Sequence, residues 1–270
     1  MELTAQEKST GELTSTSLDL SQQRLSQQRF VVLKAVPPAH WVVTMREIIT
    51  AELQNHYASK LRTLIRQRHH GGFQPPLTMP SLDPQIIANP LVFQVLEQLL
   101  GQSFFGCLPY GRDTTFPGSQ EQNVHRDCGY LFPELTSAAP AVLAVVNPLL
   151  DDFTAANGAT EIWPGSHLLV DADQEETRTL QIPLARWRDH PSTLLPAPAV
   201  SIVIRDTRTW HCGGANSTAS LRTMLALVYY RQYFMPDNLV ALTEPIREND
   251  WQQLSERVRW TYRPTRANAK

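Results

Sequence analysis

His125, Arg126 and Asp127 stand in a row, and the His-x-Asp spacing has chemical content. On an extended strand, residues i and i+2 face the same side, so the imidazole of His125 and the carboxylate of Asp127 converge on one point. Alone the pair is a weak signal. With 8 histidines and 26 acidic residues, about one His-x-Asp or His-x-Glu is expected by chance. A second histidine must join it, and His211 is the best placed. It follows the β-prone run Ser201-Ile202-Val203-Ile204 and precedes the turn-forming Cys212-Gly213-Gly214, near a strand end. Two histidines and one carboxylate on one face of an octahedral ion leave three positions open, the donor set of non-haem Fe(II) centres. The same atoms suit zinc, so the ligands leave the metal open.

Arg222, eleven residues after His211, narrows the choice. The interval allows a turn and a return strand whose alternation puts Arg222, Met224, Ala226, Val228 and Tyr230 on one face. An arginine among apolar residues is costly to bury unless it meets an anion. A dicarboxylate co-substrate reaching from the metal would supply one, through a bidentate guanidinium–carboxylate pair. A structural ion pair with a local acid is the plainer alternative.

The elements that must position these residues follow from the rest of the chain. Its 270 residues contain 20 prolines and 12 glycines, proline above and glycine below their usual shares of roughly 5% and 7%. This favours many short, proline-bounded segments over a helical bundle. Residues 1 to 17, rich in Ser, Thr and Glu, are expected to be a disordered tail ahead of a single domain over 18–270. The repeated SQQR–LSQQR predicts a helix leading into a strand at Phe30–Leu33, and Pro37-Pro38 opens a helix to about Arg68. Asn89-Pro90 opens another, closed by Gly101. From about 103 onward, β-prone runs (103–108, 141–146, 159–163, 200–204, 222–233) alternate with turns, as in an antiparallel sandwich or barrel. Residues 166–198 read as an insertion between strands.

Three ordered stretches resemble the phytanoyl-CoA dioxygenase family of Fe(II)/2-oxoglutarate oxygenases: PGSQEQNVHRDCGY (117–130), NGATEIWPGSH (157–167) and WHCGGANSTASLRTML (210–225). HRDxGY with an upstream glutamine is most similar to the subgroup acting on natural-product skeletons, including fungal meroterpenoid oxygenases. The resemblance implies a mainly β fold, a double-stranded β-helix (jelly roll, cupin-like) with N-terminal and peripheral α-helices. It implies that His125, Asp127 and His211 ligate Fe(II), that Arg222 grips the distal carboxylate of 2-oxoglutarate, and that Gln122 and Thr160 hydrogen-bond the co-substrate. Many members carry Ser two residues after the distal histidine, where this chain has Gly213. Halogenating relatives lack the carboxylate that Asp127 keeps, so the implied reaction is C–H oxidation, with hydroxylation the default and O2 consumed as succinate and CO2 form. Ascorbate would serve as reductant in vitro. The substrate implied is a small molecule, a specialised-metabolite biosynthetic intermediate.

Two rivals share the triad: a cupin-like hydrolase or isomerase using zinc or manganese, which would not need Arg222, and a jelly-roll binding module without catalysis. A net charge of −2 argues against general nucleic-acid binding. No apolar run approaches the ~18 residues of a membrane helix, and Cys107, Cys128 and Cys212 show no disulfide or CxxC spacing. A cytoplasmic protein is expected. The polar C-terminal segment from Glu244 offers a helix to pack, to cover the mouth of the barrel, or to form a homodimer. His167 is read as structural, His69-His70 as a solvated helix end, and Cys128 and Cys212 as pointing away from the metal.

Overall fold

The computed structural model describes residues 1–56, 70–72, 74–132, 134–170, 180–236, 239 and 243–266. Among these residues, ten strands form two antiparallel sheets. The larger contains β1 (Phe30–Leu33), β2 (His70–Gly71), β3 (Phe105–Gly106), β4 (Gly111–Thr115), β5 (Leu143–Pro148), β8 (Ile202–Asp206) and β10 (Arg222–Tyr230), in the order β1-β8-β5-β10-β4-β2 with β3 also on β10. The smaller joins β7 (Thr193–Leu194), β6 (Thr160–Ile162) and β9 (His211–Gly213). Residues of both sheets line one chamber, so the sheets face each other across it. This is the expected mainly β, jelly-roll arrangement. Among the described residues it is built as two facing sheets, with no ladder of hydrogen bonds closing a barrel.

Strand alternation divides the large sheet into a wet face and a dry one. On β10, Arg222, Met224, Ala226, Val228 and Tyr230 face the chamber, while Leu225, Leu227 and Tyr229 enter the main core. On β5 and β8 the same rule sends Leu143, Val145 and Arg205 inward and Ala144, Val146, Ile202 and Ile204 outward. The outward side is covered by helices. α1 spans Ala5–Thr10, α2 Ser15–Gln27, α3 Ala39–His56, α4 Pro84–Ile87 and α5 Pro90–Leu100.

The α5 helix starts where Asn89 accepts hydrogen bonds from the amides of Leu91 and Val92 and Pro90 fills the first turn, and it ends at Gly101. Seven of its residues are buried, and Phe93 meets Tyr229 of the sheet edge-on at 6.0 Å. The predicted helix from Pro37 is α3. Its expected continuation through residues 57–68 lies outside the described residues, as does the charged stretch 171–178 of the insertion. The described part of that insertion contributes β7 to the small sheet.

One expectation is corrected. Residues 1 to 17 are ordered rather than a disordered tail. Their Ser/Thr/Glu content is capping chemistry. Thr4 and Glu7 form a reciprocal capping box, and the buried Glu7 carboxylate also accepts from the amide and hydroxyl of Thr14, both at 2.9 Å. Met1, Leu3 and Leu13 dock into the main core. Of the roles open to the C-terminal segment, its described residues take the first, packing, rather than covering the chamber mouth. Its helices Glu248–Gln253 and Glu256–Thr261 bury Trp251, Leu254, Val258 and Tyr262 in the same outer core as α5, where the Tyr262 hydroxyl donates to the Ile87 carbonyl at 2.6 Å.

Candidate active site

His125 lies on no regular strand. It is held by a two-way backbone pair with His211 of β9, with N–H to carbonyl distances of 3.0 and 2.9 Å. The two imidazoles therefore sit side by side, 4.3 Å between ring centroids. Asp127 is fixed by its amide on the Thr207 carbonyl at 2.8 Å, in the turn between β8 and β9. One loop and one strand end thus bring His125, Asp127 and His211 together, their ligand atoms all within 4.8 Å of one another.

The hydrogen bonds decide which ring nitrogens keep a lone pair. Nδ1 of His125 lies 2.8 Å from the Asn123 carbonyl, and Nδ1 of His211 lies 3.0 Å from that of Thr209. A carbonyl only accepts, so both Nδ1 atoms carry the proton and both Nε2 lone pairs turn inward. They lie 3.8 and 3.5 Å from Asp127 Oδ1. Perpendicular ligands of one ion at ~2.1 Å would be on the order of 3 Å apart, so this donor set fits a single cation with three positions left open. Burial and the neighbouring Arg205 lower the pKa of His211, keeping its imidazole neutral. Burial raises the Asp127 carboxyl, but the Arg205 guanidinium, donating to Oδ2 at 2.5 Å, outweighs it and holds it well below the usual carboxylate range.

All six residues expected at the site line one chamber of about 440 Å³. Arg222 lines the same chamber and is fully buried. One guanidinium nitrogen, Nη2, donates to the Thr115 hydroxyl, and the cation lies 4.4 Å from the Phe153 ring centroid. Nη1 is 3.7 Å from Asp113 Oδ2, too far for a hydrogen bond, and neither Nε nor Nη1 has a hydrogen-bond partner. A buried guanidinium with two unsatisfied nitrogens has the capacity a carboxylate would fill. Thr160 stands opposite Gly213 in the β6–β9 register. The Gln122 amide donates to the Gly213 carbonyl at 2.9 Å, and its side-chain oxygen accepts the Gly213 N–H at 2.8 Å, leaving its NH₂ group for a ligand.

That clamp explains the glycine. A Cβ on residue 213 would lie 2.9 Å from Gln122 Oε1 and 3.0 Å from the His70 ring, so Gln122 and His70 take the space a serine would need. His70 is no solvated helix end. It pairs with Thr115 as part of β2, and its Nδ1 is 3.3 Å from the hydroxyl that receives Arg222. Arg205 and Asp113 also line the chamber, unanticipated from sequence. Arg205 had the cue that marked Arg222, an arginine at an inward position of an apolar strand. Cys128 departs from expectation too: its thiol faces the chamber and contacts the Thr207 hydroxyl at 2.9 Å, because residues 125–128 do not alternate as a strand. Burial pushes that thiol up to about 11. Cys212 does point away, into a cluster with Trp163 and Trp210. His167 is buried apart from the triad, its carbonyl accepting from Tyr130 at 2.7 Å.

Comparison with known proteins now bears on this geometry. The family model described as phytanoyl-CoA dioxygenase (PhyH) matches residues 27–224, which includes all six residues expected at the site. The chain belongs to the phytanoyl-CoA dioxygenase family. Within it, the chain is 31% identical over 163 residues to dioxygenase aneA of Aspergillus aculeatus, covering 57% of this chain and 50% of that protein. It is 26% identical over 183 residues to multifunctional dioxygenase ausE of Penicillium brasilianum, covering 63% of this chain and 58% of that one. The chain thus spans about half the length of such relatives. Among solved structures, the carbocyclase SnoK from nogalamycin biosynthesis, described as non-haem and α-ketoglutarate-dependent, aligns with a TM-score of 0.58 at 17% identity over 86% of this chain and 91% of its own. The epimerase SnoN from the same pathway, solved with Fe3+, α-ketoglutarate and nogalamycin RO, aligns with a TM-score of 0.55 at 20% identity over 80% and 84%. At these identities the likeness shows the shared fold. No helix among the described residues of this family member is long and apolar enough to cross a membrane.

Proposed function

We propose that this family member is a non-haem Fe(II)/2-oxoglutarate-dependent dioxygenase that oxidises a C–H bond of a small specialised-metabolite intermediate, with hydroxylation as the default outcome. One observation carries the reading. Two imidazole lone pairs and a carboxylate converge in a chamber that is also lined by a buried arginine with two unpartnered nitrogens. Zinc or manganese hydrolysis would use the first feature and leave the second unexplained.

His125, Asp127 and His211 would hold Fe(II), which with 2-oxoglutarate and O2 supplies the oxidising chemistry and releases succinate and CO2. The chain's residues do the rest. Arg222 takes the far carboxylate of the diacid, with Thr115 and His70 steadying the guanidinium from behind. Gln122 and Thr160, both beside Gly213 on the chamber wall, offer the diacid hydrogen bonds. The outer wall, with Leu143, Val145, Ala226 and Val228, presents apolar surface to the compound being oxidised and keeps water from it. A specialised metabolite as substrate fits the nogalamycin-biosynthesis enzymes that share this fold.

The test is 2-oxoglutarate turnover by the purified protein with Fe(II), O2 and ascorbate. Succinate should form slowly without substrate and faster with a suitable one, and His211→Ala should abolish both. Hydrolysis of a test ester with Zn(II), untouched by Arg222→Ala, would refute the proposal.

A further inference from the structure

Arg205 is the charged residue of the chamber for which the triad and Arg222 leave no task. It extends from the inner face of β8, is 5% exposed, and reaches the metal locus itself. Its Nη2 donates to Asp127 Oδ2 at 2.5 Å and lies 3.0 Å from Nε2 of His211. Its Nη1 is buried with no hydrogen-bond partner. The Nε2 lone pair of His211 can serve the guanidinium or a metal ion, but not both. Metal binding therefore withdraws an acceptor from a cation that already lacks one, and sets a second positive charge beside it.

Charge counting points to what must answer. The lining residues carry two guanidinium groups, Arg205 and Arg222, and two carboxylates, Asp113 and Asp127, a balance of zero. A divalent ion raises this to plus two, and a dicarboxylate restores neutrality. One of its negative ends is accounted for by Arg222. The other belongs at the metal end, and Arg205 is the only remaining cation among the described lining residues.

We infer that Arg205 is a second co-substrate-binding arginine, holding the carboxylate at the metal end of the 2-oxo acid while Asp127 Oδ2 keeps its Nη2 in place. The inference rests on the function proposed above. It also deepens it: with all chamber charge met by metal and co-substrate, the group that enters for oxidation is uncharged.

Co(II) substitutes for the oxidisable metal in the test, and calorimetry reads 2-oxoglutarate and pyruvate binding at saturating Co(II), with the Co(II) visible spectrum reporting the triad. Pyruvate carries only the metal-end carboxylate. Arg205→Met should weaken both ligands at least tenfold, Arg205→Lys should recover part of the loss, and Arg222→Met should weaken 2-oxoglutarate while sparing pyruvate. Lower Co(II) affinity in Arg205→Met with unchanged affinity for both acids would make Arg205 a mere partner of Asp127 and overturn the inference. So would unchanged binding of metal and both acids, which would leave Arg205 for an anionic substrate. Should wild-type protein with bound Co(II) take up no 2-oxoglutarate, the proposed function itself fails, a result distinct from either.

Discussion

Replacing Arg222 with methionine should move stability and co-substrate binding in different directions. In the free protein this guanidinium is fully buried, bonded only to the Thr115 hydroxyl, loosely paired with Asp113 at 3.7 Å, and left with two unsatisfied nitrogens. Replacing a buried ion pair by apolar side chains is often neutral or stabilising, by about 1–4 kcal/mol, and Arg222 has no close buried partner that its removal would strand. Asp113 remains hydrated, being 28% exposed at its side chain. The melting temperature should therefore hold or rise. The diacid loses two charge-assisted hydrogen bonds worth about 1.5–3 kcal/mol each, so its dissociation constant should rise roughly 10²- to 10⁴-fold. Thr115 and Asp113 already compete for the guanidinium, which favours the lower end. Differential scanning fluorimetry and anaerobic calorimetry with 2-oxoglutarate give the two readings. Were Arg222 a structural ion-pair partner, its removal would cost about 3–5 kcal/mol, a fall of roughly 6–20 °C for a chain of this size. Such a fall with the dissociation constant changed less than threefold would refute the reasoning.

Other outcomes follow from the same geometry. His125→Ala and His211→Ala should each abolish stoichiometric Co(II) binding by equilibrium dialysis while leaving the far-ultraviolet circular dichroism intact. Gly213→Ser should cost about 1–3 kcal/mol by overpacking, since its Cβ meets Gln122 and His70. Adding Gln122→Ala should return part of that loss in a urea-denaturation double-mutant cycle. Glu7 has its carboxyl held far below the ordinary 4.5 by hydrogen bonds from Ser17 and from the Thr14 and Thr4 amides. A depressed folded-state pKa contributes stability that is present above the unfolded value and lost as pH falls through the folded one. Urea midpoints should thus fall as pH drops below about 4.5, and less steeply in Glu7→Gln, which lacks that carboxylate at every pH.

What could be read from the chain, and what could not, follows physical lines. β10 was legible because nine residues alternate strictly between a wet chamber and a dry core, so both Arg222 and the strand's orientation are written in its period. α5 was legible from its proline, its cap and its terminal glycine. β4 was not. Its sequence GRDTT has no apolar alternation, because Asp113 and Thr115 face the chamber while Arg112 and Thr114 are buried polar residues on the other side. The N-terminal helices were hidden for a related reason: one buried carboxylate satisfies several polar neighbours, a tertiary fact that composition reads as solvation. His70 was misread because its partners, Thr115 and Gln120, are some 45 and 50 residues away. Arg205 was readable in principle. Val203 and Arg205 share a face as Met224 and Arg222 do, but no family motif drew attention to it.

The central claim is that the triad and Arg222 form one site for a metal chelated by a 2-oxo diacid. Anaerobic titration of the apoprotein with Fe(II) and then 2-oxoglutarate, followed by visible absorption, tests it most directly. The account predicts a weak charge-transfer band that requires both additions, is lost in His211→Ala, and in Arg222→Met needs far more 2-oxoglutarate. Saturating iron and 2-oxoglutarate without a band, or a band of equal 2-oxoglutarate dependence in Arg222→Met, would contradict it.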